Sequence, residues 1–151
     1  ITNADTGEII FTGYNKYYPA LIIFSIWIND TMAYIVGSFI GKTPLSKISP
    51  KKTWEGTIGG IILCVGLAFL IPSIVLIDGI DPTTSAIIAA AVAITGTLGD
   101  LFESKLKRMA GVKDSGSLMP GHGGFLDRFD SLLFAIPIAW ILTEPCLIGA
   151  C

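Results

Sequence analysis

Charge is scarce in this chain. Asp, Glu, Lys and Arg make up 15% of its 151 residues against 52% hydrophobic, and the mean hydropathy is +0.70. A water-soluble domain needs more polar surface than that, so the composition points to a membrane protein. Cysteine is sparse as well: Cys64 and Cys146 lie inside apolar runs and Cys151 ends the chain, with no CxxC and no Cys/His ligand spacing. The thiols therefore read as small buried hydrophobes. There is one histidine, no internal repeat and no low-complexity tract. The net charge of −2 carries no message by itself, and nucleic acid is not an expected partner. The chain opens on Ile1 without Met or a signal peptide, from which we expect an N-terminal part of the natural protein to precede it.

Long apolar runs dominate what is present. A spanning helix needs about 20 mostly apolar residues. Tyr18 to Ile40 qualifies, apolar except around Asn29 and Asp30; so do the Gly-rich Thr57 to Ile77 and Ser131 to Ala150, the latter interrupted by Pro137 and Glu144. Thr84 to Leu98 is shorter and reaches span length if its helix runs through Asp100 toward Lys107. These runs show too little polar periodicity to leave a wet face, which argues against a soluble bundle. The expected fold is an all-α integral membrane protein, a polytopic bundle of about four transmembrane helices. We expect one membrane domain over residues 1–151, with 1–17 as an extracytoplasmic segment.

Basic residues set the orientation. Lys42, Lys47, Lys51 and Lys52 follow the first span; Lys105, Lys107, Arg108, Lys113 and Arg128 follow the third. Two crossings separate these connections, so they share one side, which the positive-inside bias makes cytoplasmic. Only Lys16 lies opposite, together with the loop from Asp78 to Thr83.

The polar residues cluster as phosphate chemistry would need them. Asp30 falls near the middle of the first span, where an ionisable group marks function by default. Helical spacing places Trp27, Asp30, Tyr34 and Gly37 on one face. Two readings stay open: neutralisation by a bundle Lys or Tyr, or a polar cavity entering from the cytoplasm. In the loop Lys42 to Gly56, Ser49-Pro50 suits a helix N-cap and first turn, which would set Lys51, Lys52 and Thr53 at a phosphate-favouring helix start. Anchoring to anionic lipid is the other reading of these lysines. VGSFIGKT is not a P-loop: Gly37 is one residue out of register, and the GKT ends a membrane helix instead of opening one.

Continuation of the third helix puts Asp100, Glu103, Ser104 and Lys107 on one face at the cytoplasmic boundary. Asp127 and Asp130, spaced i and i+3, open the last span. Carboxylates converging at one membrane surface, Asp100 with Asp127 and Asp130, need a cation between them. Mg²⁺ fits, since it prefers oxygen ligands, keeps waters and bridges to phosphates. His122 lies between Gly121 and Gly123-Gly124, a backbone able to wrap a ligand closely.

The order S-x-L-K-R, K-D, then P-G-H-G-G-x-x-D-R-x-D over Ser104 to Asp130 resembles the signature of the phosphatidate cytidylyltransferase (CDP-diacylglycerol synthase) family. WINDTMAY, GKTPLSKISPKKTWEG and GTLGDLFES upstream are similar to that family too, so the likeness covers about Trp27 to Asp130 and corresponds to the C-terminal half of a longer pattern. The resemblance implies transfer of the cytidylyl group of CTP to phosphatidic acid, giving CDP-diacylglycerol and pyrophosphate. It implies a protein of the bacterial inner membrane or an equivalent one, with a homodimeric assembly. On this reading Asp100, Asp127 and Asp130 hold Mg²⁺, with a second cation left open. Lys107, Arg108, Lys113, His122 and Arg128 neutralise phosphate, and Asp114 is a further ligand or orients Lys113. Lys51, Lys52 and Thr53 hold the phosphatidate headgroup, with Ser104, Gly123 and Gly124 also touching substrate. Asp30 lines the lipid's path. A CTP-dependent lipid-alcohol kinase, and a cation channel or transporter with Asp30 in its path, are the alternatives.

The sidedness is directly testable. Cysteines introduced at Lys47 and Gly116 are expected to react with an impermeant reagent from the cytoplasmic side only, and one at Gly79 from the outside only. Labelling of Lys47 and Gly116 from opposite sides would break the shared-site argument.

Overall fold

Pro19 in the first turn and Gly41 at the end delimit the first helix, α1 (Tyr18–Ile40). Its 23 residues reach about 35 Å at 1.5 Å each, enough for a hydrocarbon core of about 30 Å. A computed structural model of the chain describes residues 17–46, 49, 51–75, 81–112 and 126–143, the side chains at 75 and 126–128 excepted. Three further helices follow in that description: α2 (Trp54–Val75), α3 (Pro82–Met109) and α4 (Leu126–Thr143). Helices α1 to α3 are long and apolar enough to cross a membrane, and α4 contributes a shorter apolar stretch, Phe129–Thr143. The expected extension of the last span to Ala150 lies outside the described residues, as do residues 1–16 of the expected extracytoplasmic segment.

Both ends of α3 and the start of α2 have local causes as well. The Asp81 side chain accepts the Thr84 N–H at 2.8 Å, and Pro82 opens α3. At the far end Gly111 takes φ 71°, which lets the Val112 N–H return to Lys107 O at 3.0 Å. With 28 residues, about 42 Å, α3 outruns the bilayer core, so the helix does continue past Asp100 through Lys107. The start of α2 differs from expectation. Ser49 does not cap it; the helix begins after Thr53, whose Oγ1 accepts the Gly56 N–H at 3.2 Å, while Ser49 O accepts the Lys52 N–H in a preceding turn. Backbone pairing supplies the reason: Trp54 N–H bonds Thr43 O at 3.0 Å and Leu45 N–H bonds Lys52 O at 2.7 Å, which holds residues 44 and 53 extended.

Small residues let the helices approach. A Cβ on Gly56 would lie 2.6 Å from Ala33 O, and one on Gly60 would lie 2.8 Å from Ala33 N. Gly37 faces Gly56 across the same seam, so its role is helix approach. Helix α3 is central. Its Ile88 and Val92 pack with Ile26, Ala135 and Ala139, while its Ala89 and Ala93 pack with Cys64 and Ala68 of α2. Cys64 is buried, as the apolar reading of the thiol anticipated.

One internal break is repaired by a neighbour. Pro72 lacks the N–H that would bond Ala68 O four residues earlier. The buried Ser85 hydroxyl of α3 donates to that carbonyl at 2.6 Å.

The α1–α2 seam predicts a contrast between two alanines. Gly60→Ala is expected to lower the detergent thermal midpoint by several degrees, because its methyl meets backbone. Gly66→Ala, with nothing within 4 Å, is expected to leave it unchanged or raise it slightly. Equal midpoints would remove the seam as a close contact.

Candidate active site

All four helices contribute to one cavity of about 440 Å³. Helix α1 supplies Asn29, Asp30 and Tyr34; α2 supplies Thr57, with Thr53 just ahead of it; α3 supplies Asp100, and α4 supplies Asp130. Lys51 and Lys52 border it from the connection before α2. A second cavity of about 160 Å³ shares Asp30, Asp130 and Ser131 with the first and includes Trp27. The face read from sequence, Trp27, Asp30, Tyr34 and Gly37, therefore lines polar space. A charged residue at a helix centre costs roughly 3 kcal/mol on insertion scales, which a polar cavity relieves.

The carboxylates gather through α3 and α4. Asp100 and Glu103 are one helical turn apart on α3, and Gly99 brings α4 against that turn: a Cβ there would lie 2.8 Å from Asp130 O. One ligand atom each from Asp100, Glu103 and Asp130 lies within 4.8 Å of the others. At that spacing and an effective dielectric near 20, each like-charge pair costs about 3.5 kcal/mol. Two cations offset this: Lys52 pairs with Asp100, and Lys107 Nζ lies 3.0 Å from Glu103 Oε2. Glu103 is buried, and its Oε1 has no hydrogen-bond partner. A buried carboxylate with one orphaned oxygen, set beside two more carboxylates, is a donor set that a hard divalent cation fits.

The placement of the sequence candidates is mixed. Asp30, Lys51, Lys52, Thr53, Asp100 and Asp130 come together around one cavity. Lys107 joins the carboxylate cluster, Ser104 is half-buried on α3, and Arg108 is exposed in its last turn. Asp127 and Arg128 belong to the first turn of α4, but their side chains are outside the described set, and Lys113, Asp114, His122, Gly123 and Gly124 lie wholly outside it. The phosphate-binding helix start expected at Lys51–Thr53 is not formed. Those residues precede α2, and the Trp54 and Gly56 N–H groups are spent on Thr43 O and Thr53 Oγ1. Gly41 closes α1, and the amides of Lys42 and Thr43 go to the Glu55 carboxylate, so GKT is no phosphate loop.

Three features escaped sequence reasoning. Glu103 shares the face expected for Asp100 and Lys107 and joins the carboxylate cluster, which sequence assigns to Asp100, Asp127 and Asp130; its i+3 spacing from Asp100 is the signal that could find it. Asn29 Nδ2 donates to Thr97 Oγ1 at 3.3 Å between α1 and α3, a buried pair with no local signature. Glu55 is the third.

These features define a polytopic membrane protein with an acidic site set between its helices and lysines at the margin. The family model described as "Cytidylyltransferase family" matches residues 11–146, and the chain belongs to that family. It is 42% identical over 138 residues to a phosphatidate cytidylyltransferase of Thermotoga maritima, covering 88% of this chain and 51% of the relative. It is 46% identical over 127 residues to that of Bacillus subtilis, covering 83% and 46%. Against the Arabidopsis thaliana protein named phosphatidate cytidylyltransferase 4, chloroplastic, identity is 46% over 129 residues, covering 84% and 32%. The chain thus spans between about a third and about half of the length of these curated relatives.

The Gly99 crossing offers a test of the carboxylate geometry. Gly99→Ala is expected to push Asp130 away from Asp100 and weaken Mn²⁺ binding, followed by electron paramagnetic resonance, about tenfold, the scale of losing a partner that orients metal ligands. Unchanged affinity would mean that the α3–α4 crossing does not set the cluster.

Proposed function

We propose that this chain forms the catalytic part of a phosphatidate cytidylyltransferase, joining CTP and phosphatidic acid to give CDP-diacylglycerol and pyrophosphate. The observation that carries the reading is the Asp100–Glu103–Asp130 cluster beside a cavity reaching the middle of α1. Family membership supports the cytidylyl chemistry, and the names of the relatives support the lipid acceptor.

The phosphatidate monoester is already anionic near neutral pH, so attack on the α-phosphorus of CTP needs no strong general base. The difficulty is bringing two polyanions together, which calls for positioning and positive charge. Mg²⁺ held by Asp100, Glu103 and Asp130, with Asp127 as a further ligand, would neutralise the nucleotide phosphates and favour departure of pyrophosphate. Lys107, Arg108, Lys113, His122 and Arg128 neutralise the remaining phosphate charge, and Asp114 orients Lys113. Lys51 and Lys52 grip the lipid phosphate. Thr53, whose oxygen accepts from Gly56, keeps an O–H to donate. Asp30 keeps the route between α1 and α4 polar, so the headgroup enters while its acyl chains stay in lipid. The site opens to the cytoplasm, and two copies of the complete protein associate.

Labelled CTP decides the reaction class. With Mg²⁺ and phosphatidic acid, the lipid product is expected to carry label from the α-phosphate of CTP and none from the γ-phosphate; γ-label in the lipid would instead mean a kinase. Asp127→Asn and Glu103→Gln are each expected to lower turnover by about two orders of magnitude, the scale of removing one preorganised electrostatic group. Near-normal turnover at saturating Mg²⁺ would take that carboxylate out of the site.

A further inference from the structure

Glu55 sits at the start of α2, yet its carboxylate turns away from the Asp100–Glu103–Asp130 cluster and toward the end of α1. It accepts the Lys42 N–H at 3.3 Å and the Thr43 N–H at 3.2 Å, the first two amides beyond Gly41. Two backbone bonds continue the closure, Trp54 N–H to Thr43 O and Leu45 N–H to Lys52 O. The connection between α1 and α2 is therefore a clasped hairpin. Its returning arm is Lys51, Lys52 and Thr53, three successive residues that line the cavity. Glu55 itself does not line it.

The geometry matters because lysines are long and flexible. An ammonium held at a defined point costs side-chain entropy unless its backbone is fixed first. The Glu55 bonds are charge-assisted, and they join an amide pair leaving one membrane helix to a carboxylate opening the next. They fix the outgoing arm at Lys42 and Thr43, and the Leu45 N–H bond to Lys52 O carries that restraint to the returning arm, from which Lys52 reaches across to Asp100.

We infer that Glu55 is a positioning residue, which clasps the exit of α1 to the start of α2 and thereby aims Lys51 and Lys52 at the lipid phosphate. The inference rests on the headgroup role given to those lysines above. Glu55 touches no substrate in this arrangement and acts only through the hairpin.

The test uses the intact protein in lipid nanodiscs, with Glu55→Ala, Glu55→Gln, Lys52→Met and the Glu55→Ala/Lys52→Met pair. Glu55→Ala is expected to speed amide hydrogen exchange across residues 41–46 about tenfold or more, as loss of a hydrogen bond to a charged group would. Exchange in α3 serves as the folding control and should not change. The same variant is expected to raise KM for phosphatidate about tenfold with little change in kcat, and to add nothing further once Lys52 is Met. Glu55→Gln keeps one carbonyl acceptor and should restore most of both properties. Unchanged exchange in Glu55→Ala and Glu55→Gln overturns the clasp whatever Lys52 does. Faster exchange with a KM effect that persists in full beside Lys52→Met overturns positioning through Lys52. A Lys52→Met protein with normal KM and turnover sinks the headgroup reading, and the aim assigned to Glu55 with it, while the exchange result still reports on the clasp.

Discussion

Like-charge repulsion among Asp100, Glu103 and Asp130 is the constraint that the rest of the structure answers to. Three carboxylates within 4.8 Å, one of them buried, would separate unless the backbone held them and positive charge offset them. The backbone does its part through Gly99, where the absence of a side chain lets α4 lie directly on the turn that carries Asp100 and Glu103. The charge comes from two directions. Lys107 arrives from the next turn of the same helix, and Lys52 arrives from a connection 48 residues earlier. The acidic site therefore depends on α3 internally and on the α1–α2 hairpin externally.

Close approach between α1 and α2 follows from the same need. Lipid offers no hydrophobic reward for bringing two apolar helices together, so contact must come from fit and from bonds across the seam. Gly56 and Gly60 remove the obstacle on α2, and the Cys64 thiol donates to Ser25 O at 3.3 Å farther along. That fit also places Asn29 within reach of Thr97 and leaves its neighbour Asp30 at the wall shared by the two cavities.

Much of this was legible in the sequence because membrane helices advertise themselves by length. Helix α1 has the bounds read from the apolar run, and α3 has the continuation through Asp100 toward Lys107 that its short apolar run needs to reach span length. The start of α2 was misread because Ser49-Pro50 carries a genuine capping pattern. Tertiary pairing between Thr43 and Trp54 overrides that local preference, and pairing across a hairpin is not written in either strand alone. Glu103 was undervalued for a related reason. An acidic residue four positions before a lysine on a helix reads as an ordinary surface ion pair. Only the burial of its second oxygen, which depends on α4, marks it as more.

Helices α2 and α3 are joined at two widely separated levels. Near one end the Ser85 hydroxyl occupies the carbonyl that Pro72 leaves open, and toward the other Lys52, just ahead of α2, reaches Asp100. A pair of rods tied at both levels resists both splaying and sliding. Together they form a stiff frame on one side of the bundle. A proline that would ordinarily be a hinge has thus been turned into a fixed joint.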